Sequence, residues 1–249
     1  MKKIIFSLLV FASIDCWSSA DKEAIKKAEQ SQLTIDADGG VICDKEKLTC
    51  TAKDNVFVEK GPFQMYCDTL TTHIRKNSEG KMEMWRIVAV GNVRMIGAEK
   101  SQKAFAPMAD YNMDESKIVL LAEEGILPVV TKDQYILEAK KIEVLVKKEG
   151  DKQSIDKMQA YENVVLSSPD EIAKGDFATY NPETNIAVMQ GAVTIYRKDG
   201  KISGSEATVD LNAETSEMVN NSKDETGKPK RVHALILPKN MNNSKKVAE

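Results

Sequence analysis

Leu137-Glu138-Ala139-Lys140-Lys141-Ile142-Glu143-Val144-Leu145-Val146, a Lys/Gly turn, then Met158-Gln159-Ala160-Tyr161-Glu162-Asn163-Val164 decides how this chain folds. About 71 positions earlier stands Met65-Tyr66-Cys67-Asp68-Thr69-Leu70-Thr71-Thr72-His73-Ile74, a Lys/Gly turn, and Ile87-Val88-Ala89-Val90-Gly91-Asn92-Val93. The two passages share their alternation, their turns and their closing Asn-Val. Two-residue alternation puts one set of side chains on one face of a strand and the next set on the other. A chain that repeats such a unit stacks β-rungs around a continuous core. The reading is an elongated all-β body with an inside and an outside.

A second self-match extends the pattern. Ala109-Asp110-Tyr111 followed by Ile118-Val119-Leu120 parallels Ala178-Thr179-Tyr180 followed by Ile186-Ala187-Val188. Gly125 then parallels Gly191 and Ile136 parallels Ile202, with the offset drifting from 69 to 66. Strands are expected throughout 33–237, separated by turn pairs such as Glu79-Gly80, Glu149-Gly150, Asn181-Pro182 and Asp199-Gly200. Asn55, Asn92 and Asn163 each precede a Val, and Asn tolerates positive φ, so each is expected to mark a turn or bulge entering a strand. No stretch in this span holds a 3.6-residue period, and no linker interrupts it. One domain, 33–238, is expected.

The ends read differently. Residues 1–20 have a basic start, a short apolar run and a small-x-small site at Ser18-Ser19-Ala20, the pattern of a cleaved export signal. The apolar run falls short of the roughly 20 residues a membrane span needs. Residues 21–32 are polar and helix-prone, and 239–249 are polar and expected to be disordered. Export implies an oxidising compartment. Beyond the leader lie Cys43, Cys50 and Cys67, an odd count that leaves three pairings open. Cys43 and Cys50 flank the short turn Asp44-Lys45-Glu46-Lys47 and are the favoured disulfide. The alternative is that all three are small buried hydrophobes.

Composition narrows function. The 249 residues are 42% hydrophobic, only 6% aromatic and 29% charged, with a formal charge of -3. No long basic run offers a footprint for nucleic acid. His73 and His233 are the two histidines, far apart in sequence, which argues against a His-built metal site or catalytic triad. No nucleophile elbow, metalloprotease helix or phosphate loop is present. Asp36 with Asp38 is the one carboxylate pair worth naming for glycoside chemistry, and it reads better as a strand-end turn. A catalytic role and a metal or other cofactor are therefore not expected. The alternative reading, a secreted β-solenoid that binds or processes polysaccharide, requires a convergent set of carboxylates or aromatics.

What remains is the inner face. Its candidates are Leu33, Ile35, Val56, Val58, Phe63, Met65, Ile87, Val93, Met95, Ile118, Leu120, Ile186, Val188, Val193, Ile195 and Ile202, with Trp85, Val209 and Leu211 beside them. They are aliphatic, medium-sized and evenly spread. Either they pack against one another across two sheets, or the sheets leave an apolar slot.

Four passages carry a resemblance: Leu33-Thr34-Ile35-Asp36-Ala37-Asp38; Asn55-Val56-Phe57-Val58 with Met65-Tyr66-Cys67-Asp68; the stretch 173–211 with Ala178-Thr179-Tyr180, Gly191-Ala192-Val193 and Ile202-Ser203-Gly204; and Lys230-Arg231-Val232-His233-Ala234-Leu235-Ile236-Leu237-Pro238. In this order they resemble the OstA-like, LptA-type family of periplasmic lipopolysaccharide-transport proteins. The chain departs from that pattern by an extra set of rungs near 82–146, by Asp54 before Asn55 and by Cys67 in the Ala-Asp pair. The resemblance implies a twisted, open β-jellyroll with an apolar groove, and a non-enzymatic bridge that shields acyl chains between inner and outer membranes. It implies lipopolysaccharide as ligand, an LptC-like inner-membrane partner, an LptD-like outer-membrane receiver and end-to-end homo-oligomers. By position, Leu33 and Ile35 would face acyl chains. Sugars and phosphates would stay at the mouth, near Arg94, Lys103, Arg197 or Lys198.

Overall fold

Alternation in the sequence becomes, among the described residues, a single antiparallel sheet of 16 strands. The coordinates are a computed structural model that describes residues 33–97, 101–149, 152–223, 225 and 227–236. The leader, the polar lead-in, Leu237, Pro238 and the tail lie outside them. In chain order the strands are β1 (Thr34–Asp36), β2 (Val41–Asp44), β3 (Thr49–Lys60), β4 (Phe63–Lys76), β5 (Met82–Ile96), β6 (Gln102–Asn112), β7 (Lys117–Leu121), β8 (Val129–Lys132), β9 (Tyr135–Glu138), β10 (Lys141–Glu149), β11 (Lys152–Ser167), β12 (Glu171–Asn181), β13 (Ile186–Arg197), β14 (Gly200–Asp210), β15 (Thr215–Val219) and β16 (His233–Ile236). The short strands β2 and β15 have no clear signal in the sequence.

The long strands do not run straight. Each carries a break near its middle, where the register with its neighbour shifts. On β3, β5, β11 and β13 the break is a pair of left-handed residues: Asp54 and Asn55, Gly91 and Asn92, Glu162 and Asn163, Gly191 and Ala192. Each pair stands opposite one residue on the next strand: Asp68, Pro107, Asp176 and Ser205. Two residues against one is a β-bulge, which bends the strand. Pro107 has no N–H to offer a ladder, and a bulge is where a sheet tolerates that. The expectation for the three Asn-Val steps is met: Asn55, Asn92 and Asn163 have φ of 48°, 48° and 54°.

The corners are fastened from outside. Asn92 Nδ2 donates to Asp68 Oδ2 at 2.9 Å, and Asn55 Nδ2 donates to Asp38 Oδ2 at 3.0 Å. At Gly91, φ is +78° and a Cβ would sit 2.3 Å from Asp68 Oδ2, so left-handed backbone and close approach both select glycine. Gly191 repeats this against Asp176, at 2.4 Å.

The aligned corners fold the sheet along one line into two walls. The broad wall takes β2, β7, β10, β15 and the longer halves of the kinked strands; the narrow wall takes β1, β8, β9, β16 and the shorter halves. β7 with β8, and β9 with β10, are single rungs split at the corner, as are β1 with β2 and β15 with β16. Residues on both sides of a corner point to the same interior: Ala89 and Val93 on β5 are both buried, as are Ala160 and Val164 on β11.

The repeat in the sequence is this hairpin. Ala89 and Val93 of β5 occupy the positions of Ala160 and Val164 of β11, and the corner at Cys67 and Asp68 answers the one at Ala139 and Lys140. The second self-match needs a correction. Tyr111 pairs with Ile118, whereas Tyr180 pairs with Ala187. The equivalent of Ile118 is therefore Ala187, so the offset stays at 69 through β7 and falls to 65 only past the corner, where Val129 answers Thr194 and Leu137 answers Ile202. A slip of one residue reverses a strand's faces. Ile186 and Val188 consequently lie on the outer face, and Ala187 and Met189 are the buried residues of β13.

Candidate functional site

Side-chain size is graded across the interior. Next to the fold line stand Ala52, Ala89, Ala106, Ala109, Ala139, Ala160, Ala173, Ala178 and Ala207, all buried, interleaved with Val56, Val93, Val164 and Val193 at 0–1% exposure. Two walls of one sheet converge at a corner, where alanine and valine predominate beside the fully buried Leu70, Leu120, Ile142 and Met189. On β5 and β11 the residues grow outward and their burial falls. On β5 the series is Met95, Val93, corner, Ala89, Ile87, Met84, half-buried at both ends. On β11 it is Leu166, Val164, corner, Ala160, Met158, Ile155, again half-buried at both ends. Phe63, Tyr111, Met113, Ile118, Val130, Leu137, Val146 and Tyr180 complete two apolar lips packed against the core. The interior is a trough: shut at its spine, apolar and partly open at its mouth.

The sequence-derived candidates divide accordingly. Val56, Val58, Val93, Leu120, Val193 and Ile195 are fully packed in the spine, with Met65 and Ile87 close behind. An open slot along these residues is absent, because the opposing wall fills the space. Leu33, Ile35, Phe63, Met95 and Ile118 are half-buried on the inner face. Ile202, opposite Ile195, shares that face. Ile186 and Val188 are outside, as described above. Trp85 is also displaced from the interior by the irregularity between His73 and Ile74; its ring lies 5.9 Å from His73 and 5.8 Å from the Arg75 guanidinium. Met84, Met113, Val146, Ile155 and Met218 also lie on the inner face, outside the sequence-derived set; the repeat relates Val146 to Ile74 at an offset of 72 and Ile155 to Met84 at 71.

The expected head-group cations are not gathered at the mouth. Arg94 stands between Tyr66 and Phe105 in a cross-strand row on the outside of the narrow wall, and Lys103 lies one row further on. They border an outer groove of about 740 Å³ that also includes Asn92 and Thr131. Arg197 donates to Glu171 at 2.7 Å and also to Ser216 Oγ; Lys198 donates to Asp170 at 2.6 Å. Asp38 serves the Asn55 corner while Asp36 stands opposite Phe57, so the carboxylate pair does not form a reaction centre.

Two features frame the trough. Cys43 and Cys50, opposite each other on β2 and β3, form a disulfide, and Cys67 is free and buried beside the spine. Burial, and then the neighbouring Asp68 carboxylate, push the Cys67 thiol up to about 11. Arg86 grips Asp110 with two hydrogen bonds, of 2.8 and 2.5 Å, and Arg75 grips Asp114 with two of 2.7 Å, bracing the outside of the broad wall.

Comparison with known proteins follows from this geometry. Residues 129–215 match the family described as LptA/(LptD N-terminal domain) LPS transport protein. The matched segment contains the third resembling passage, 173–211, and runs from β8 into β15. Among curated proteins nothing matches. Eighteen solved chains match. One is LptH of Pseudomonas aeruginosa, described as the LptA-homologous periplasmic component of the conserved lipopolysaccharide transport device. It is 13% identical, with 84% of this chain and 98% of that chain covered and a TM-score of 0.24, a score at which the likeness carries no inference. Segment 129–215 of this all-β chain is thus similar to the LptA/(LptD N-terminal domain) family of LPS transport proteins.

Proposed function

We propose that the chain is a periplasmic, non-enzymatic lipopolysaccharide-binding protein that shelters acyl chains in the trough on the way from the inner to the outer membrane. The observation that carries this is the pair of half-buried apolar lips, with Met84, Met95, Met113, Ile118, Ile155 and Leu166, above a fully packed spine. A dry scaffold has no need of apolar lips. Each methylene withdrawn from water is worth about 0.8 kcal/mol, so one long acyl chain left exposed costs on the order of 10 kcal/mol. Lips of similar aliphatic character along the body offset that cost without a single deep trap. Methionine suits the role because its unbranched thioether repacks easily.

The ends support assembly as a bridge. Among the described residues β1 and β2 pair only with β3, and β15 and β16 only with β14, so within that set each terminal rung presents an edge without a partner strand. Val41 and Ile42 are 54% and 67% exposed on one of them, and Ile236 is 77% exposed on the other. Such edges accept a further strand. The reading assigns them to end-to-end homo-oligomers and to LptC-like and LptD-like partners, after export by a cleaved signal.

The test is photo-crosslinking in cells, with the reactive residue at Met95 or Ile155 on the lips and at Val188 on the outer face. Lipopolysaccharide adducts are expected at the first two and not at the third. Adducts at none of the inward positions, or equally at all three, would refute the proposal.

A further inference from the structure

The β8–β9 turn reaches from one lip of the trough to the other. Lys132 closes β8 on the narrow wall and lies on the inner face two residues beyond Val130. Its ammonium donates to Tyr180 Oη at 2.7 Å and to Asn185 Oδ1 at 3.0 Å, and stands 5.4 Å from the centre of the Tyr180 ring. Both partners belong to the broad wall, at the end of β12 and the start of β13. The Tyr180 hydroxyl donates in turn to Asn185 Oδ1 at 2.6 Å, and Asn185 Nδ2 donates to Asn212 Oδ1 at 3.0 Å. From the same turn, Tyr135 Oη donates to the Leu211 carbonyl at 3.3 Å and Gln134 Nε2 donates to Glu214 Oε1 at 3.4 Å. The four bonds made by Lys132, Gln134 and Tyr135 join residues 48 to 80 apart in sequence, on opposite walls. They break when the lips part.

Charge gives the arrangement a direction. Lys132 is half-buried beside the apolar mouth, and its partners are a phenol and an amide. Among the described residues no carboxylate pairs with it. An ammonium held only by neutral acceptors gains most from an anion, since charge-assisted hydrogen bonds are about twice as strong as neutral ones. A phosphate arriving at the mouth can replace both acceptors at once.

We propose that residues 132–135 form a clasp that holds the mouth closed over β12–β15, and that a phosphate borne on an amphiphile releases it. The phosphate takes Lys132 from Tyr180 and Asn185 while the acyl chains occupy the parted lips. This rests on the lipid-binding reading above. The clasp thus ties opening to cargo that carries both an anionic head and hydrocarbon tails.

The test places spin labels at Asp133→Cys and Ala213→Cys, exposed positions on the two sides, in the otherwise intact protein; the buried Cys67 and the Cys43–Cys50 disulfide do not compete for label. The inter-label distance is measured by pulsed electron resonance. Without ligand a narrow, short distribution is expected, broadened by Asn185→Ala or Lys132→Gln. A distribution unchanged by both variants would overturn the clasp. Diphosphoryl lipid A should lengthen the distance. Asn185→Ala, which weakens the closing bonds and keeps the ammonium, should lower the lipid A concentration for half-opening. Lys132→Gln should instead weaken lipid A binding, read by displacement of a fluorescent acyl probe, about tenfold, as expected for one lost charged hydrogen bond, and Lys132→Arg should restore it. Opening by inorganic phosphate alone would overturn the requirement for an amphiphile. A fluorescent acyl probe reports trough occupancy independently. If the probe binds while the distance stays fixed, the clasp is refuted and the lipid reading stands; if the probe does not bind, both fall.

Discussion

Replacing Gly91 with alanine tests the corner that folds the sheet. Gly91 has φ of +78°, where an L side chain costs roughly 1–2 kcal/mol. A Cβ there would also meet Asp68 Oδ2 at 2.3 Å, Cγ at 2.8 Å and Cβ at 2.9 Å. The carboxylate can swing aside only by abandoning its bond from Asn92, worth about 0.5–1.5 kcal/mol, and the Asp68 Cβ cannot swing at all. The corner must widen, and the total expected is about 1.5–3.5 kcal/mol. Gly80→Ala is the matched control: its φ is +75° and nothing lies within 4 Å of the new methyl, so only the backbone cost of roughly 1–2 kcal/mol applies. Urea unfolding followed by Trp85 emission gives both values, with unchanged slopes required for the comparison. A Gly91→Ala cost equal to or below that of Gly80→Ala would refute the close-approach account of the fold line.

Three further predictions concern the trough. Ile142→Ala at the packed spine, where exposure is 0%, should cost about 3–4 kcal/mol, and Ile118→Ala at the lip less than half as much; equal costs would remove the distinction between closed spine and open mouth. Cys67, buried with its thiol held up to about 11, should resist maleimide at pH 8 in the folded protein and react at once in urea; prompt reaction without denaturant would contradict its placement. The Arg75 hydrogen bonds hold the Asp114 carboxyl below its ordinary value, so its stabilising contribution is present above roughly pH 4 and is lost as pH falls through the lowered value. Asp114→Asn should flatten that acid limb of the stability curve slightly, and an unchanged limb would show that this exposed pair contributes nothing.

Alternation and repetition were sufficient to read an antiparallel stacked body, and the recurrent Asn-Val steps located three of the corners. The errors have one cause. Inner positions at the spine are mostly alanine, which carries little hydrophobic signal, whereas Ile186 and Val188 are strongly apolar but face outward. Ranking by hydrophobicity chose the isoleucine and valine and shifted β13 by one residue. Keeping the offset of 69 from Ala109 to Ala178 through to Leu120 and Met189 would have kept the faces straight. β2 escaped notice because four exposed or half-exposed residues beside a disulfide show no alternation. The contact between Lys132 and Tyr180 was beyond sequence reasoning, since it depends on how two hairpin ends meet across a folded sheet. The lip residues were legible in type and not in depth: periodicity separates inside from outside and says nothing of distance from the crease.

Because every rung is bent by the same local device, the cross-section is set hairpin by hairpin and the length is free. The paired units β4–β5 and β9–β11 already look like copies laid down in series. Inserting or deleting one such unit would alter reach and leave the profile untouched, much as links change a chain without changing its gauge. The length of such a body is then a quantity that gene duplication can adjust in fixed steps.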